Sequence, residues 1–176
     1  MKFLTLFLSL LLTSVSFANP VDATKETPVC YAREYSQSHM DKTPAQSVKS
    51  FKFKFYKYDN KEEGYILGID AQLKVKAKDY EGNEYDAIKP YANSMYCVPQ
   101  GKNKMACGID CDGGQAEVIW ETKTVGDQIT FINRGFVMYG GCGEDVDEGD
   151  SIWLDAVKGG DDVFKLYRVR PEFCQN

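Results

Sequence analysis

Residues whose side chains can do chemistry are concentrated in one stretch, residues 105–114, which holds two cysteines, two aspartates and three glycines. Thiolates bind metals, and carboxylates on a tight turn bind hard cations such as Ca²⁺. The segment Asp110-Cys111-Asp112-Gly113-Gly114 resembles the start of a calcium loop, but it lacks the next acidic position and the distal bidentate glutamate. The glycines instead favour a hairpin turn that needs positive φ.

A second acidic segment, residues 144–150, also carries alternating carboxylates. Gly149 stands where a calcium loop needs an oxygen ligand, so the pattern is more typical of a solvated acidic loop. The binding-site candidates are Asp110, Asp112, Asp145 and Asp147. The sequence predicts no metal site and no cofactor.

Catalysis by histidine would have to use His39, because it is the chain's single histidine. It lies in a short polar segment that Ser36 can cap, where a hydrogen-bonded structural role is favoured. The sequence contains no Gly-x-Ser-x-Gly elbow, His-Glu-x-x-His pair or phosphate-binding loop. A pair of carboxylates for glycoside hydrolysis stays open, since their separation in space is not visible in a sequence. We predict no catalytic residue.

The first eighteen residues are typical of a signal peptide. Lys2 precedes an apolar run over residues 3–12, and Ser16-Phe17-Ala18 places small residues where a signal peptidase cleaves, before Asn19. The apolar run is shorter than the ~20 residues that span a bilayer. The sequence therefore predicts residues 1–18 as a signal peptide, residues 19–176 as a single disulfide-stapled β domain, and a periplasmic or secreted location without a transmembrane segment after cleavage.

Charge and cysteine content narrow the partners and the redox state. The formal net charge is −5 at pH 7, which disfavours nucleic acid as a partner. An even number of cysteines in an exported chain favours three disulfides over metal thiolates. Six cysteines allow fifteen pairings. Symmetry about residue 102, closure of the two ends and elimination favour the pairs Cys97–Cys107, Cys30–Cys174 and Cys111–Cys142.

Period-two alternation is the main structural pattern. The aromatic residues Phe51, Phe53 and Phe55 alternate with polar ones, and residues 67–77 alternate in the same way, which predicts two antiparallel strands. Shorter strands are predicted after Pro90 at residues 92–98, 104–111, 115–124, 128–133, 151–157 and 162–169. Residues 134–150 are predicted as a loop, and Ser36 as the cap of a short helical turn.

About eight strands at short spacing predict an all-β fold, an antiparallel up-and-down β-barrel, because closure removes exposed sheet edges. A two-sheet β-sandwich is the alternative. The strand aromatics, including Trp120 and Trp153, are first of all expected in the core, and a barrel of this size can be filled or can keep a ligand cavity. A set of lysines is expected on the outer face, either as a basic patch or to keep the sheet soluble: Lys52, Lys54, Lys74, Lys76 and Lys78.

Several stretches resemble an uncharacterised family of small exported, disulfide-bonded bacterial proteins with a Cys-Asp-Gly-Gly motif. They are residues 30–36 with His39-Met40 and Pro44-x-Gln46-x-Val48, the segment Cys107-x-x-x-Cys111-Asp112-Gly113-Gly114, and residues 161–166 before Cys174. The resemblance implies export and a disulfide framework, and it supplies no catalytic or ligand-binding residues.

These observations leave functions from three classes. The leading hypothesis is an exported non-catalytic binding protein, either a small-ligand barrel or a protein-binding or inhibitor module. The alternatives are a carboxylate-based hydrolase of envelope or extracellular polymers and a structural envelope protein. The partner is expected to be a small ligand or another exported protein.

Overall fold

The computed structural model describes residues 23–24, 27–58, 64–101, 103–120, 128–138 and 151–174. The predicted signal peptide, residues 1–18, lies outside the described residues, as do Cys142, Asp145 and Asp147.

The described residues form nine strands and two short helical segments. The strands are β1 (Val29–Glu34), β2 (Val48–Lys57), β3 (Tyr65–Lys78), β4 (Glu84–Pro99), β5 (Lys104–Gly108), β6 (Gly114–Trp120), β7 (Gln128–Met138), β8 (Ile152–Leu154) and β9 (Val163–Val169). Helix α1 (Gln37–Lys42) follows β1, and a 3-10 turn covers Pro171–Cys174. Ser36 caps α1 by accepting a hydrogen bond from His39 N, as the sequence predicted.

Eight of the strands close into an antiparallel barrel. Strands β1 to β7 pair in chain order, β9 pairs with β7, and β9 also pairs with β1 to complete the ring. The short strand β8 is additional and pairs with the end of β7. The predicted all-β barrel of about eight strands is therefore confirmed, and the sheet does not divide into the two layers of a sandwich.

Strand β7 continues five residues beyond its predicted end at Asn133, because β8 and β9 divide its edge between them. Asn133 is buried at this division, and its side-chain nitrogen donates to the carbonyl oxygens of Leu154 and Asp161, at 3.1 and 2.8 Å. Gly135 then adopts φ 93°, which lets the strand continue after the side-chain contact. Residues 134–138, predicted as loop, are consequently strand.

Aromatic side chains fill the barrel interior. The ring of Phe131 packs at centroid distances of 4.7 Å from Phe53, 5.9 Å from Phe51 and 5.9 Å from Phe136. Phe164 adds a ring 4.9 Å from Phe51. All of these rings have at most 1% of their surface exposed, so the period-two prediction identified the core correctly along β2.

The two tryptophans have different environments. Trp120 is buried, as predicted, whereas Trp153 is 48% exposed, so its assignment to the core was wrong. Trp153 lies over Gly135, where an added Cβ would meet its ring at 3.2 Å. An outward-facing aromatic at a strand position looks the same in sequence as an inward-facing one when the strand has three residues.

Candidate interaction surface

The stretch at residues 105–114 is a hairpin between β5 and β6. Gly113 N donates to Asp110 O at 3.3 Å, and Cys111 and Asp112 take φ values of 57° and 59°. Two successive residues with positive φ define a type I′ turn, which matches the twist of a β-hairpin. The predicted turn is present, and Asp112 and Gly114 have the positive φ expected of it, whereas Gly113 does not and Cys111 does.

Two disulfides agree with the pairing favoured from the sequence. Cys97 and Cys107 lie directly opposite each other on β4 and β5 with their Cα atoms 4.0 Å apart, and they face the core. Cys30 on β1 is bonded to Cys174 in the terminal 3-10 turn, with Cα atoms 6.2 Å apart. Cys111 is also disulfide-bonded, and its expected partner Cys142 lies outside the described residues.

The acidic binding-site candidates are not gathered into a site by the described residues. Asp110 and Asp112 are exposed on the hairpin turn. No three histidine, cysteine or carboxylate side chains form a metal-binding group within the described ranges. Asp145 and Asp147 lie outside those ranges, so their role stays a prediction.

His39 takes part in a packed cluster at the end of β1. Its ring stacks on Tyr35 with centroids 4.7 Å apart, and its Nε2 lies 3.0 Å from Gln46 Oε1. Gln46 in turn donates to Val48 O at 2.7 Å. The Arg33 guanidinium also lies over the ring of Tyr35, 5.2 Å from its centroid. Burial raises the pKa of the Tyr35 phenol, so this side chain is a packed neutral group rather than an activated base.

Asp161 fastens the segment before β2 to the segment before β9. Its carboxylate accepts hydrogen bonds from the N–H and hydroxyl of Ser47 and from the N–H of Val48, the backbone bonds measuring 2.8 and 3.1 Å. Asp161 is 3% exposed, and burial raises the pKa of its carboxyl even though these hydrogen bonds lower it. Because both carboxylate oxygens of Asp161 accept from Ser47 or Val48, this side chain holds the two segments together.

The predicted outer-face lysines are partly neutralised by carboxylates on neighbouring strands. Lys74 and Lys76 on β3 bind Asp86 on β4, at 3.3 and 2.7 Å. Lys52 lies opposite Asp70 in the strand register, and Lys54 lies over the ring of Tyr56. Two shallow depressions of about 360 and 230 Å³ lie on this face and share Asp70 and Ala92. The mixed charges favour a solubilising role over a uniform basic patch.

The longest hairpin extends past the barrel. β3 and β4 stay paired from Tyr65–Cys97 to Lys78–Glu84, whereas the pairing between β2 and β3 ends at Val48–Leu73. Residues 74–88, here called the β3–β4 arm, therefore extend five residue pairs beyond β2. At about 3.4 Å per residue this is roughly 17 Å of two-stranded sheet.

The tip of the β3–β4 arm is an ordered turn. The carboxylate of Asp79 accepts from Glu81 N and Asn83 N, both at 2.9 Å, and from the Asn83 side chain at 3.1 Å. These hydrogen bonds, with the Asn83 side chain first, lower the pKa of Asp79. Tyr80 sits within this turn and is 96% exposed. An aromatic side chain is thus held out in solvent on a fixed backbone.

The arm has two different faces. Its outer face carries the Lys74–Asp86–Lys76 ion pairs, and hydrogen bonding to Lys76 lowers the pKa of Asp86. Its inner face carries apolar residues in register, including Ala77 opposite Tyr85. Tyr85 on the inner face and Ile88, which lies opposite Lys74 on the outer face, are each 51% exposed. The arm therefore combines exposed aromatic and aliphatic surface with flanking charge.

The sequence predicts only the second half of β4, because a proline such as Pro90 interrupts the hydrogen-bond ladder of most strands. In the structure the strand runs through Pro90, which pairs with Gln72. A proline fits a strand where its nitrogen faces an open edge and no ladder hydrogen bond is lost. One signal is present in the sequence. The alternation predicted for β3 reaches residue 77, beyond the residues that β2 can pair with. This extra length of β3 needs a partner strand upstream of Pro90.

Comparison with protein-family models, curated proteins and solved structures finds no match to this chain. The family resemblance through Cys111-Asp112-Gly113-Gly114 thus stays a prediction. In the part of the chain that the structure describes, no helix has the length and apolar character to cross a membrane.

Proposed function

We propose that this chain is an exported, non-catalytic protein-binding module and that the β3–β4 arm is its contact surface. Export is supported by the signal-like residues 1–18 and by disulfides that persist in oxidising compartments. The filled interior supports a surface contact rather than a ligand held inside the barrel.

The observation that carries the proposal is the exposed tyrosine at the tip of the arm. Tyr80 is 96% exposed on a turn that the Asp79 carboxylate orders, with Tyr85 and Ile88 exposed nearby on the same hairpin. Tyrosine is enriched among residues that dominate protein–protein binding, and fixing it before binding reduces the entropy cost of association. Because the Tyr80 side chain is almost fully exposed within its own chain, it is well suited to pack against a partner.

The hydrolase alternative receives less support from the described carboxylates. Glu117 is paired with Lys104 at 3.0 Å and Arg134 at 3.4 Å, and its pKa is lowered mainly by Lys104. Asp161, the carboxyl with a raised pKa, is buried beneath Ser47 and Val48. A general acid in glycoside hydrolysis needs a raised pKa together with access to the substrate.

Site-specific photo-crosslinking in the producing cells tests the proposal. A photoreactive phenylalanine analogue at Tyr80 is expected to give a discrete protein adduct that mass spectrometry can identify. The matched control places the same analogue at Phe173, which is 53% exposed in the 3-10 turn after β9, outside the arm, and we expect no such adduct there. No adduct from Tyr80, or the same adduct from both positions, would contradict the arm as contact surface.

A further inference from the structure

We infer that the β3–β4 arm binds its partner by strand addition, with an extended segment of another protein pairing along the open edge of β4. This inference rests on the proposed function and specifies how the arm makes contact. Among the described strands, none pairs with β4 from Glu84 to Pro90 on the side away from β3. β5 pairs only with residues 96–99, and β7 approaches β4 at Asn93, whose side chain donates to Val137 O at 2.7 Å.

The hydrogen-bond pattern identifies which backbone groups face this edge. Asp79 N donates to Asn83 O at 3.0 Å, so the 79–83 pair belongs to the hydrogen-bonded set, and alternation assigns the odd residues of β4 to β3. The Cys97–Cys107 pair agrees, because its 4.0 Å Cα separation is that of a non-hydrogen-bonded pair with β5. The N–H groups directed at the open edge belong to Glu84, Asp86, Ile88 and Ala92.

Pro90 limits the length of an added strand. Its carbonyl faces the open edge but its nitrogen has no hydrogen, so a continuous ladder is interrupted between Ile88 and Ala92. Proline at an edge discourages long, unspecific pairing between sheets. The geometry therefore favours a short added strand over residues 84–88, the part of β4 that lies in the arm.

The side chains beside this edge define the chemistry of the partner. Glu84 points to the outer face at this edge, where a directly opposed lysine or arginine side chain forms a favourable cross-strand pair; Asp86 on the same face is already paired with Lys74 and Lys76. Tyr85 and Ala87 point to the inner face, where apolar side chains would pack. The partner segment is thus an extended stretch of about five to seven residues in which basic and apolar residues alternate.

Amide hydrogen exchange of the ¹⁵N-labelled, oxidised protein tests the open edge first. We expect the amides of Glu84, Asp86 and Ile88 to exchange at least tenfold faster than those of Tyr85 and Ala87, because only the latter are bonded to β3. Equal protection of both sets would overturn the inference, since the edge would already be covered.

The probe for binding is a seven-residue peptide of alternating lysine and valine with blocked ends. Its titration is expected to shift the resonances of residues 84–88 and to slow exchange of their edge amides at least tenfold. The same peptide with its lysine amides N-methylated keeps the charge and loses donors, so it should leave exchange unchanged. Equal effects of both peptides would point to charge attraction alone and would overturn strand addition, as would no shift at all.

A matched pair of proline variants provides the test in the protein itself. Ile88→Pro removes an N–H from the open edge of β4, whereas Lys78→Pro removes one from the opposite edge of the same arm. We expect Ile88→Pro to weaken peptide binding at least tenfold and Lys78→Pro to leave it unchanged. If Ile88→Pro does not fold, amide exchange and the comparison of the two peptides on the unmodified protein still test strand addition.

The two proposals fail in different ways. A partner adduct at Tyr80 that persists at full yield in Ile88→Pro would overturn strand addition and leave the arm as contact surface. Absence of any adduct would contradict the proposed function, and the peptide titration would then decide separately whether the edge of β4 pairs with an added strand.

Discussion

Gly114, at the start of β6, lies close against the backbone of β7. It has φ 97°, and a Cβ at this position would collide with the backbone of Gly135 and Phe136. Gly159 also has positive φ, 74°, but an added Cβ there would meet no atom within 4 Å. Alanine substitutions at these two glycines therefore separate the energetic cost of a positive φ from the cost of steric overlap.

We predict that Gly114→Ala lowers the free energy of unfolding by about 2–4 kcal/mol and Gly159→Ala by about 1 kcal/mol. The smaller value is the cost of a left-handed conformation for alanine, and the larger one adds overpacking against the backbone. Urea denaturation of both variants measures the difference. Equal losses would show that β6 and β7 are not in close contact at Gly114.

Asp161 makes stability depend on pH. Burial raises the pKa of its carboxyl above the ordinary value of 3.8, so the folded state binds this proton more tightly than the unfolded state does. The stability that the group contributes is therefore fully present below pH 3.8 and is lost as pH rises through the folded pKa. Asp79, Asp86 and Glu117, whose pKa values are lowered, act in the opposite direction.

The matched variant Asp161→Asn isolates this contribution. We predict that it is less stable than the unmodified chain by about 2 kcal/mol near pH 4, because an amide nitrogen replaces one of the acceptors facing Ser47 and Val48. The difference should shrink as pH rises, since the variant has no proton to lose. Denaturant unfolding at several pH values measures it, and a difference that grows with pH would contradict a raised pKa.

At the scale of the elements, alternation of side chains predicted most of the strands and turns. Phe51, Phe53 and Phe55 identify the inner face of β2 without further information, because a pleated strand places alternate residues on one face. The symmetry of Cys97 and Cys107 about their turn was likewise sufficient to predict their pairing.

Other elements depend on contacts that no local pattern contains. β7 continues through Gly135 because the Asn133 side chain donates to the carbonyl oxygens of Leu154, at the end of β8, and Asp161, just before β9. β4 runs through Pro90 because of which edge its nitrogen faces. The arm depends on the continuation of β4, since it consists of the part of β3 and β4 that extends beyond β2. The residue types indicate residues 105–114 as the candidate site. The β3–β4 arm was therefore not predictable from residue types.

At the scale of the whole molecule, the barrel closes between its first and last strands. β1 pairs with β9, and the Cys30–Cys174 disulfide joins β1 to the turn that follows β9. The two cysteines are 144 residues apart in sequence, compared with 10 for Cys97 and Cys107. Chain entropy alone assigns about 5 kcal/mol to the longer loop and about 3 kcal/mol to the shorter one.

We predict that the double variant Cys30→Ala with Cys174→Ala loses about 5 kcal/mol of unfolding free energy, because its unfolded chain regains the freedom of the long loop. Chemical denaturation under non-reducing conditions measures this loss. A loss below about 2 kcal/mol would show that pairing between β1 and β9 closes the barrel without help from the disulfide.

Removal of the β3–β4 arm tests the contact surface most directly. Residues 76–86 are replaced by Asn-Gly between Val75 and Ala87, a hydrogen-bonded pair that a two-residue type I′ turn can join. The barrel core and its disulfides lie outside the deleted segment, so we expect the shortened chain to fold with an unchanged pattern of core resonances.

The decisive quantity is the dissociation constant of the partner identified by cross-linking at Tyr80, measured for the full and shortened chains. We predict that loss of the arm weakens binding by about 100-fold or more, as removal of a dominant contact does. Unchanged affinity in a folded, shortened chain would contradict the arm as the binding surface.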